Sequence, residues 1–437
     1  MTSRFLLGAA ALLMATPGFA HDVPADLGPS VAADYEARLA DLFVHFHKNP
    51  ELSFREYDTS KRIASELEAL GYAVDVGVGQ TGVVAVLRNG PGPTVMVRAD
   101  MDGLPVKEDT GLSYASTARQ VGIDGVENFV MHACGHDVHI TSLVGTAKQM
   151  MDRRADWSGT LVLIAQPAEE IISGARAMIE DGLYTEYPKP DYALAFHVTS
   201  QLPTGTLALP KGLAYSSSDS VDITVRGVGA HGASPHKGVD PVLVASAIVV
   251  NLQSVVSRSI APLQPGVITV GSIHGGTKHN IIGDRVDLQL TVRSDDPEVR
   301  QQLLDGIERV ARGTAMAYGV PDDLLPIVKR LDQNTPPTKN DRATAEYLDG
   351  VLGGYFGPGV VIDPPRQGMG AEDFAEFVAP EHGVKGVYMA VGATPPGELA
   401  TAASHHSPFF KVSPEESVTL GTEAMVASAL SLFARGE

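Results

Sequence analysis

The segment Met131-His132-Ala133-Cys134-Gly135-His136-Asp137 holds the only cysteine of the chain, two positions before a histidine. A single thiol cannot close an internal disulfide, so Cys134 serves another purpose. Thiolate and imidazole are the ligands that zinc and similar borderline metals favour. In an extended or tightly turned segment the i, i+2 spacing lets both side chains face one way. A free cysteine is also commonly a small buried hydrophobe, so this segment alone leaves both readings open.

Further groups with chemical potential follow. The apolar run Leu161 to Ala165 leads into Gln166-Pro167-Ala168-Glu169-Glu170. Adjacent carboxylates at the C-terminal end of a strand lie where α/β folds build their sites. Their side chains diverge, so one can hold a metal while the other takes a proton from water. Two acidic residues can equally open a helix, favoured by its N-terminal dipole. A second apolar run, Tyr192 to Phe196, ends in His197, and His405-His406 precedes Ser407-Pro408 near the C-terminus. The stretch Gly229-Ala230-His231-Gly232-Ala233-Ser234-Pro235-His236 reads as a turn from which two histidines can project.

The elements that must position these groups fall into two patterns. Ala33 to His47 and Thr59 to Leu70 carry helical apolar spacing, interrupted at Asn49-Pro50. Short buried strands are expected at Thr81 to Leu87, Thr94 to Arg98, Thr160 to Ala165 and Tyr192 to Val198, with a helix over Val138 to Met151. This order predicts an α/β fold with a largely parallel central sheet flanked by helices. From about residue 214 the strands alternate polar and apolar residues. Ser220 to Val228, helix Pro241 to Arg258, strands Gly266 to Ile273 and Arg285 to Arg293, helix Pro297 to Tyr318 and a strand near Leu325 to Val328 follow in turn. That β-α-β-β-α-β order is ferredoxin-like, and it predicts an inserted α+β unit at 214–330 between 21–213 and 331–437.

The 437 residues allow two or three domains, and 44% hydrophobic with 19% charged residues is the composition of a globular enzyme rather than a disordered chain. A formal charge of −19 disfavours nucleic acid and anionic membrane as partners. Arg4, the apolar run Phe5 to Met14 and the small residues before Ala20 read as a signal peptide over 1–20. The run is too short to span a bilayer, and no later segment is expected to span one. The expectation is therefore an exported protein, periplasmic or secreted.

Several of these segments together resemble the M20 metallopeptidase family, in particular the aminoacylase-type branch that includes hippurate hydrolases and indole-acetyl amino acid hydrolases. The resemblance rests on residues 47–54 (HKNPELSF), 98–105 (RADMDGLP), 131–137 (MHACGHD), 166–170 (QPAEE), 229–236 (GAHGASPH), 370–374 (GAEDF) and 406–408 (HSP), in that order. It implies a metal-dependent hydrolysis of N-acyl amino acids, or of dipeptides, at two divalent cations (zinc, or manganese, cobalt or nickel). It further implies metal ligands at Cys134, His136, Glu170, His197 and His406, with Cys134 as thiolate and Glu169 as general base. Arg98 stands where wider relatives carry a histidine ligand, and Asp100 is expected to support the site rather than bind metal. His405 occupies a position that is usually aliphatic. The inserted unit resembles a lid that makes a homodimer contact, with His231 reaching the partner's site and Asn280 and Arg293 holding the substrate carboxylate.

Three other readings compete. A dipeptidase or carboxypeptidase on the same scaffold differs in tolerating a free amine on the substrate. A non-catalytic periplasmic binding protein would need neither Glu169 nor His231. A cysteine hydrolase would use Cys134 with a histidine base.

Overall fold

The structure is a computed structural model and describes residues 23–435. The signal peptide expected over 1–20 lies outside the described residues. Eight strands form the main sheet, in the spatial order Ala73–Val78, Gly82–Asn89, Gly159–Gln166, Thr94–Asp100, Tyr192–Pro203, Lys385–Thr394, Leu207–Ala208 and Val361–Ile362. The middle of the sheet is parallel, from Gly159–Gln166 through Thr94–Asp100 and Tyr192–Pro203 to Lys385–Thr394. Antiparallel pairing is confined to its flanks. The middle strands are apolar almost throughout because helices cover both faces. On one face the helices Leu27–Asp34, Ala40–Lys48, His136–Asp152 and Pro414–Ala434 enclose the largest core, with Phe43, Phe46, Val97, Leu163, Leu194 and Phe433 among its members. A smaller core under Gly174–Glu180 and Phe374–Phe377 seals the other.

A second sheet is wholly antiparallel, in the order Gly266–Gly275, Arg285–Ser294, Ser218–Arg226 and Ile327–Thr335. Numbered along the chain, its strands lie 2-3-1-4, the ferredoxin-like order. The helices Pro241–Ser254 and Pro297–Ala317 pack their apolar stripes on one face, around Val221, Ile223, Ile248, Leu288 and Leu303. The other face is solvated, which is why the strands alternate. The last strand starts at Ile327 and runs to Thr335, past the residue-330 limit expected from sequence. Its solvent-facing residues, Lys329, Arg330 and Asp332 among them, hide it from a search for apolar runs. A two-stranded ribbon, Leu213–Tyr215 against Thr338–Lys339, carries the chain into and out of this unit.

Among the described residues, two helices are long and apolar enough to cross a membrane by length and composition, contrary to the expectation that no later segment would be. Pro414–Ala434 owes its apolarity to core burial, being 83% buried over its most apolar stretch. Pro241–Ser259 is only 28% buried and shows an apolar face to solvent.

Candidate metal centre

The expected residues converge at the C-terminal edge of the parallel strands. Thr94–Asp100 delivers Asp100 and then Asp102. Its neighbour Gly159–Gln166, in register Asp100 to Gln166, turns out into Glu169 and Glu170. The two glutamates precede the helix that starts at Gly174 and so do not sit in its first turn. Tyr192–Pro203 carries His197 within the strand. Gly135 caps the helix His136–Asp152 at φ 86°, and a Cβ there would lie 2.3 Å from the Val198 side chain. Only glycine lets the turn between Cys134 and His136 nestle against the strand. Ala168 and His406 also adopt left-handed backbone, at φ 51° and 65°. Such conformations cost energy in non-glycine residues and collect at functional sites.

Cys134 Sγ lies 3.4 Å from His197 Nε2 and 3.4 Å from His406 Nε2. His406 Nε2 is in turn 3.4 Å from Glu170 Oε2. His136 Nε2 stands 3.8 Å from Glu170 Oε1 and 3.9 Å from Glu169 Oε2. Two ligands of one tetrahedral ion, bonded at about 2.0 Å and about 2.3 Å, are about 3.5 Å apart, so these separations suit ligands around an ion. Two three-residue groups, Cys134-His136-His197 and Cys134-Glu170-His406, share the thiol.

The imidazoles are oriented for ligation. His136 Nδ1 donates to the Asp102 carbonyl at 2.8 Å, and His197 Nδ1 to the Val198 carbonyl at 2.5 Å. Each bond fixes the tautomer and turns the Nε2 lone pair toward the cluster. His136 Nε2 and Glu170 Oε1 are buried without a hydrogen-bond partner among the described residues, a costly state unless another group satisfies them. His139 is close by but committed at both nitrogens, to Asp100 and to the Val198 amide at 2.9 Å. His405 turns away, its Nε2 on the Val198 carbonyl at 3.0 Å and its ring against Phe410.

Charge in the cluster is unbalanced. Burial, then the neighbouring Glu372 and Glu170, push the Glu169 carboxyl well above the usual range. Burial likewise raises Glu170 to about 8, although His136 pulls it down. The Cys134 thiol is pushed far up by burial and by Glu170 and Glu169. Burial alone would lower His136, but Asp100 and the other carboxylates outweigh it and raise it to about 10. A pocket that presses protons onto its own thiol and carboxylates is short of positive charge, and divalent cations would supply it. The residues therefore fit a metal pair.

A cavity of about 580 Å³ opens beside the cluster. Cys134, Glu169, Glu170, His197, His406 and Arg293 are on its wall. His231 and Asn280 are not. They sit together on the exposed outer part of the lid, where Gly232 N–H donates to the Asn280 carbonyl at 2.8 Å. His231 Nδ1 accepts from the Ala233 amide at 3.0 Å, which leaves Nε2 as the N–H of the neutral ring.

Sequence reasoning gave no supporting role to several residues that have one. Asp102 accepts the backbone N–H groups of both Glu169 and Glu170 at 3.1 Å and the Ser53 hydroxyl at 2.6 Å, which fixes the turn bearing the two glutamates. Arg98 is fully buried and bonds Asp100 and Glu372 at 2.6 Å each and Gln166 at 2.8 Å. Glu372 lies inside the quoted GAEDF stretch, which was the available signal for it.

The family model described as peptidase family M20/M25/M40 matches residues 96–431. Thermostable carboxypeptidase 2 of Saccharolobus solfataricus is 36% identical over 367 residues, covering 83% of this chain and 88% of the relative. Hippurate hydrolase of Campylobacter jejuni is 37% identical over 350 residues, covering 79% and 86%. A crystal structure from Bacillus subtilis, described as a dinuclear metal-binding peptidase of the M20 family, superposes with a TM-score of 0.74 at 29% identity, covering 92% of this chain and 99% of that one. With the family model spanning most of the chain and both relatives matched over most of their length, this chain belongs to peptidase family M20/M25/M40.

Proposed function

We propose that this chain hydrolyses the amide bond of N-acyl amino acids, releasing a carboxylic acid and a free amino acid, at two divalent cations. The observation that carries the reading is Glu169, a buried carboxylate with Oε2 3.9 Å from His136 Nε2, at the edge of two donor groups that share Cys134. Cys134, His136, Glu170, His197 and His406 are the ligands in this reading. Held by these ligands, divalent cations would supply Lewis acidity, lowering the pKa of a bound water and polarising the scissile carbonyl. Glu169 takes the proton from the attacking water and returns it to the departing amine nitrogen. Arg293, whose guanidinium has no hydrogen-bond partner among the described residues, pairs with the substrate carboxylate in the cavity. The similarity to hippurate hydrolase supports an acyl amino acid substrate. Zinc suits the cysteine and histidine donors, and manganese, cobalt or nickel can meet the carboxylate.

A homodimer through the lid belongs to the same reading. Helix Pro241–Ser254 leaves Leu243 54% and Val250 70% exposed, and Gly266–Gly275 is an edge strand with its outer side unpaired among the described residues, both features that a partner would cover. His231 and Asn280 lie outside their own chain's cavity, which suits donation of His231 to the partner's site. Export of the chain, to the periplasm or outside the cell, rests on the N-terminal signal pattern.

A peptidase is the second reading, favoured by the similarity to carboxypeptidase 2 and by Asp363 on the cavity wall, a carboxylate that could meet a substrate amine. Chelated protein supplemented with single defined metals should hydrolyse hippurate-like substrates, and Glu169→Gln should keep its metal while kcat falls by about 10²–10⁴. Turnover of free dipeptides alone would replace the first reading with the second. Native turnover by Glu169→Gln would remove the general base.

A further inference from the structure

Tyr215 lies on the ribbon that joins the catalytic layers to the lid, opposite Thr338. The ribbon is tied to the site from both sides. Thr338 Oγ1 donates to the Glu372 carbonyl at 3.1 Å, and the Ser216 amide donates to the Gly370 carbonyl at 2.8 Å. The Tyr215 ring meets Tyr388 edge-on, with centroids 5.2 Å apart, and lines the cavity alongside Glu169 and Glu372.

The other donors on that wall are engaged or aimed elsewhere. Tyr388 gives its hydroxyl to Glu372 at 2.5 Å. Arg366 is held by Asp295 at 2.6 Å and by the Ser216 hydroxyl at 3.3 Å. Arg293 serves the substrate carboxylate in the reading above. The Tyr215 hydroxyl has no hydrogen-bond partner among the described residues, and it is not among the fully buried polar atoms left unpaired. It therefore opens to the cavity. Burial, followed by Glu372, Cys134 and Glu169, keeps its proton on throughout the range in which the enzyme would work. A guanidinium here would be captured by the carboxylates, as Arg98 is, whereas a neutral phenol stays free to donate.

We propose that Tyr215 is a catalytic hydrogen-bond donor: its phenol O–H bonds the carbonyl oxygen of the scissile amide as that oxygen gains negative charge. No proton is transferred, and the phenol O–H bond stays intact. The hydroxyl replaces a water hydrogen bond with one held by the ribbon, whose bonds to the Glu372 and Gly370 carbonyls fix the donor's place on the cavity wall. The inference rests on the amide-hydrolase reading but not on which amide is cleaved.

The test compares native protein and Tyr215→Phe, both fully metal-loaded, on hippurate-like acyl amino acids and on free dipeptides. Metal content and thermal midpoint are measured in parallel. Losing one such donor lowers kcat by about 10²-fold with KM little changed. Affinity for a phosphinate analogue of the tetrahedral species should fall with kcat, while affinity for the product amino acid holds. Unchanged kcat and unchanged phosphinate affinity on the cleaved substrate class overturn the proposal and leave Tyr215 as an aromatic wall. A native enzyme that cleaves only dipeptides changes the substrate reading, and the comparison is then read on dipeptides. If Tyr215→Phe does not fold, 3-fluorotyrosine in place of Tyr215 strengthens the donor at nearly constant shape. A shift in kcat supports the donor role, and no shift overturns it.

Discussion

Arg98 and Glu372, 274 positions apart in the chain, meet beneath the metal cluster as a fully buried ion pair at 2.6 Å. The same guanidinium holds Asp100, 2.6 Å away, and Asp373, 3.4 Å away, so one cation anchors three carboxylates. Arg98→Met would leave those carboxylates buried without a counter-charge, a loss of about 3–5 kcal/mol. Arg98→Lys should be nearly as damaging, because an ammonium cannot reproduce the planar fork that reaches Asp100, Glu372 and Gln166 together. Urea unfolding of the metal-loaded variants measures this, and native stability in Arg98→Met would show that the network is dispensable.

The two adjacent histidines should separate cleanly. His406→Ala removes a donor 3.4 Å from both Cys134 Sγ and Glu170 Oε2, and should lower metal stoichiometry and activity together. His405→Phe gives up one bond to the Val198 carbonyl, a cost of about 1 kcal/mol, while a ring against Phe410 is kept. Metal content by elemental analysis distinguishes them. Equal loss in both variants would mean that the ligand assignment has the wrong imidazole.

This contrast bears on how much the sequence could reveal. Cys134 with His136 and Glu169 with Glu170 are short-range patterns, and apolar strands point to where their side chains emerge. Sequence spacing left His405 and His406 equivalent, because what separates them is a left-handed backbone at His406 and the position of the Val198 carbonyl. Arg98–Glu372, Asp102 under the Glu169-Glu170 turn, and Tyr215 across from Thr338 are contacts of distant segments with no periodicity to mark them. The lid's last strand was cut short for a related reason. Its exposed charged residues obey solvent on one face, and the pairing with Ser218–Arg226 that makes it a strand is non-local.

Stability should depend on pH through His47. Its Nδ1 lies 2.7 Å from Asp137 and its Nε2 3.2 Å from Glu108. Burial would lower His47, but bonds to Asp137 and Glu108 outweigh it and raise it to about 9 from an ordinary 6.5. A raised folded-state value stabilises fully below pH 6.5, and the contribution is lost as pH climbs through about 9. Although burial opposes it, the bond from His47 depresses both Glu108 and Asp137, so their contribution is present above the ordinary carboxylate range and fades in acid. The difference in unfolding free energy between native and His47→Asn protein should therefore be greatest in mild acid, above the carboxylate range and below pH 6.5, and shrink toward pH 10. A difference that stayed flat to pH 10 would exclude a charged His47.

If two chains pair through the lid as proposed, His231 and Glu169 should complement each other across that interface. Glu169 is on the cavity wall of its own chain, whereas His231 is exposed on the lid. If His231 serves the partner's site, His231→Ala and Glu169→Gln homodimers are each inactive. A mixed dimer then contains one site with both an intact Glu169 and an intact donated His231. Unfolding, mixing and refolding the two variants with metal should restore a measurable part of native turnover, because a two-fold interface brings the same patch of each chain together. Val250→Asp, which puts a charge on the exposed lid helix, should reduce dimer content by sedimentation and abolish that recovery. Recovery equal to the sum of the separate variants would place His231 outside the partner's chemistry. Activity restored in Val250→Asp monomers would instead show that each chain completes its own site.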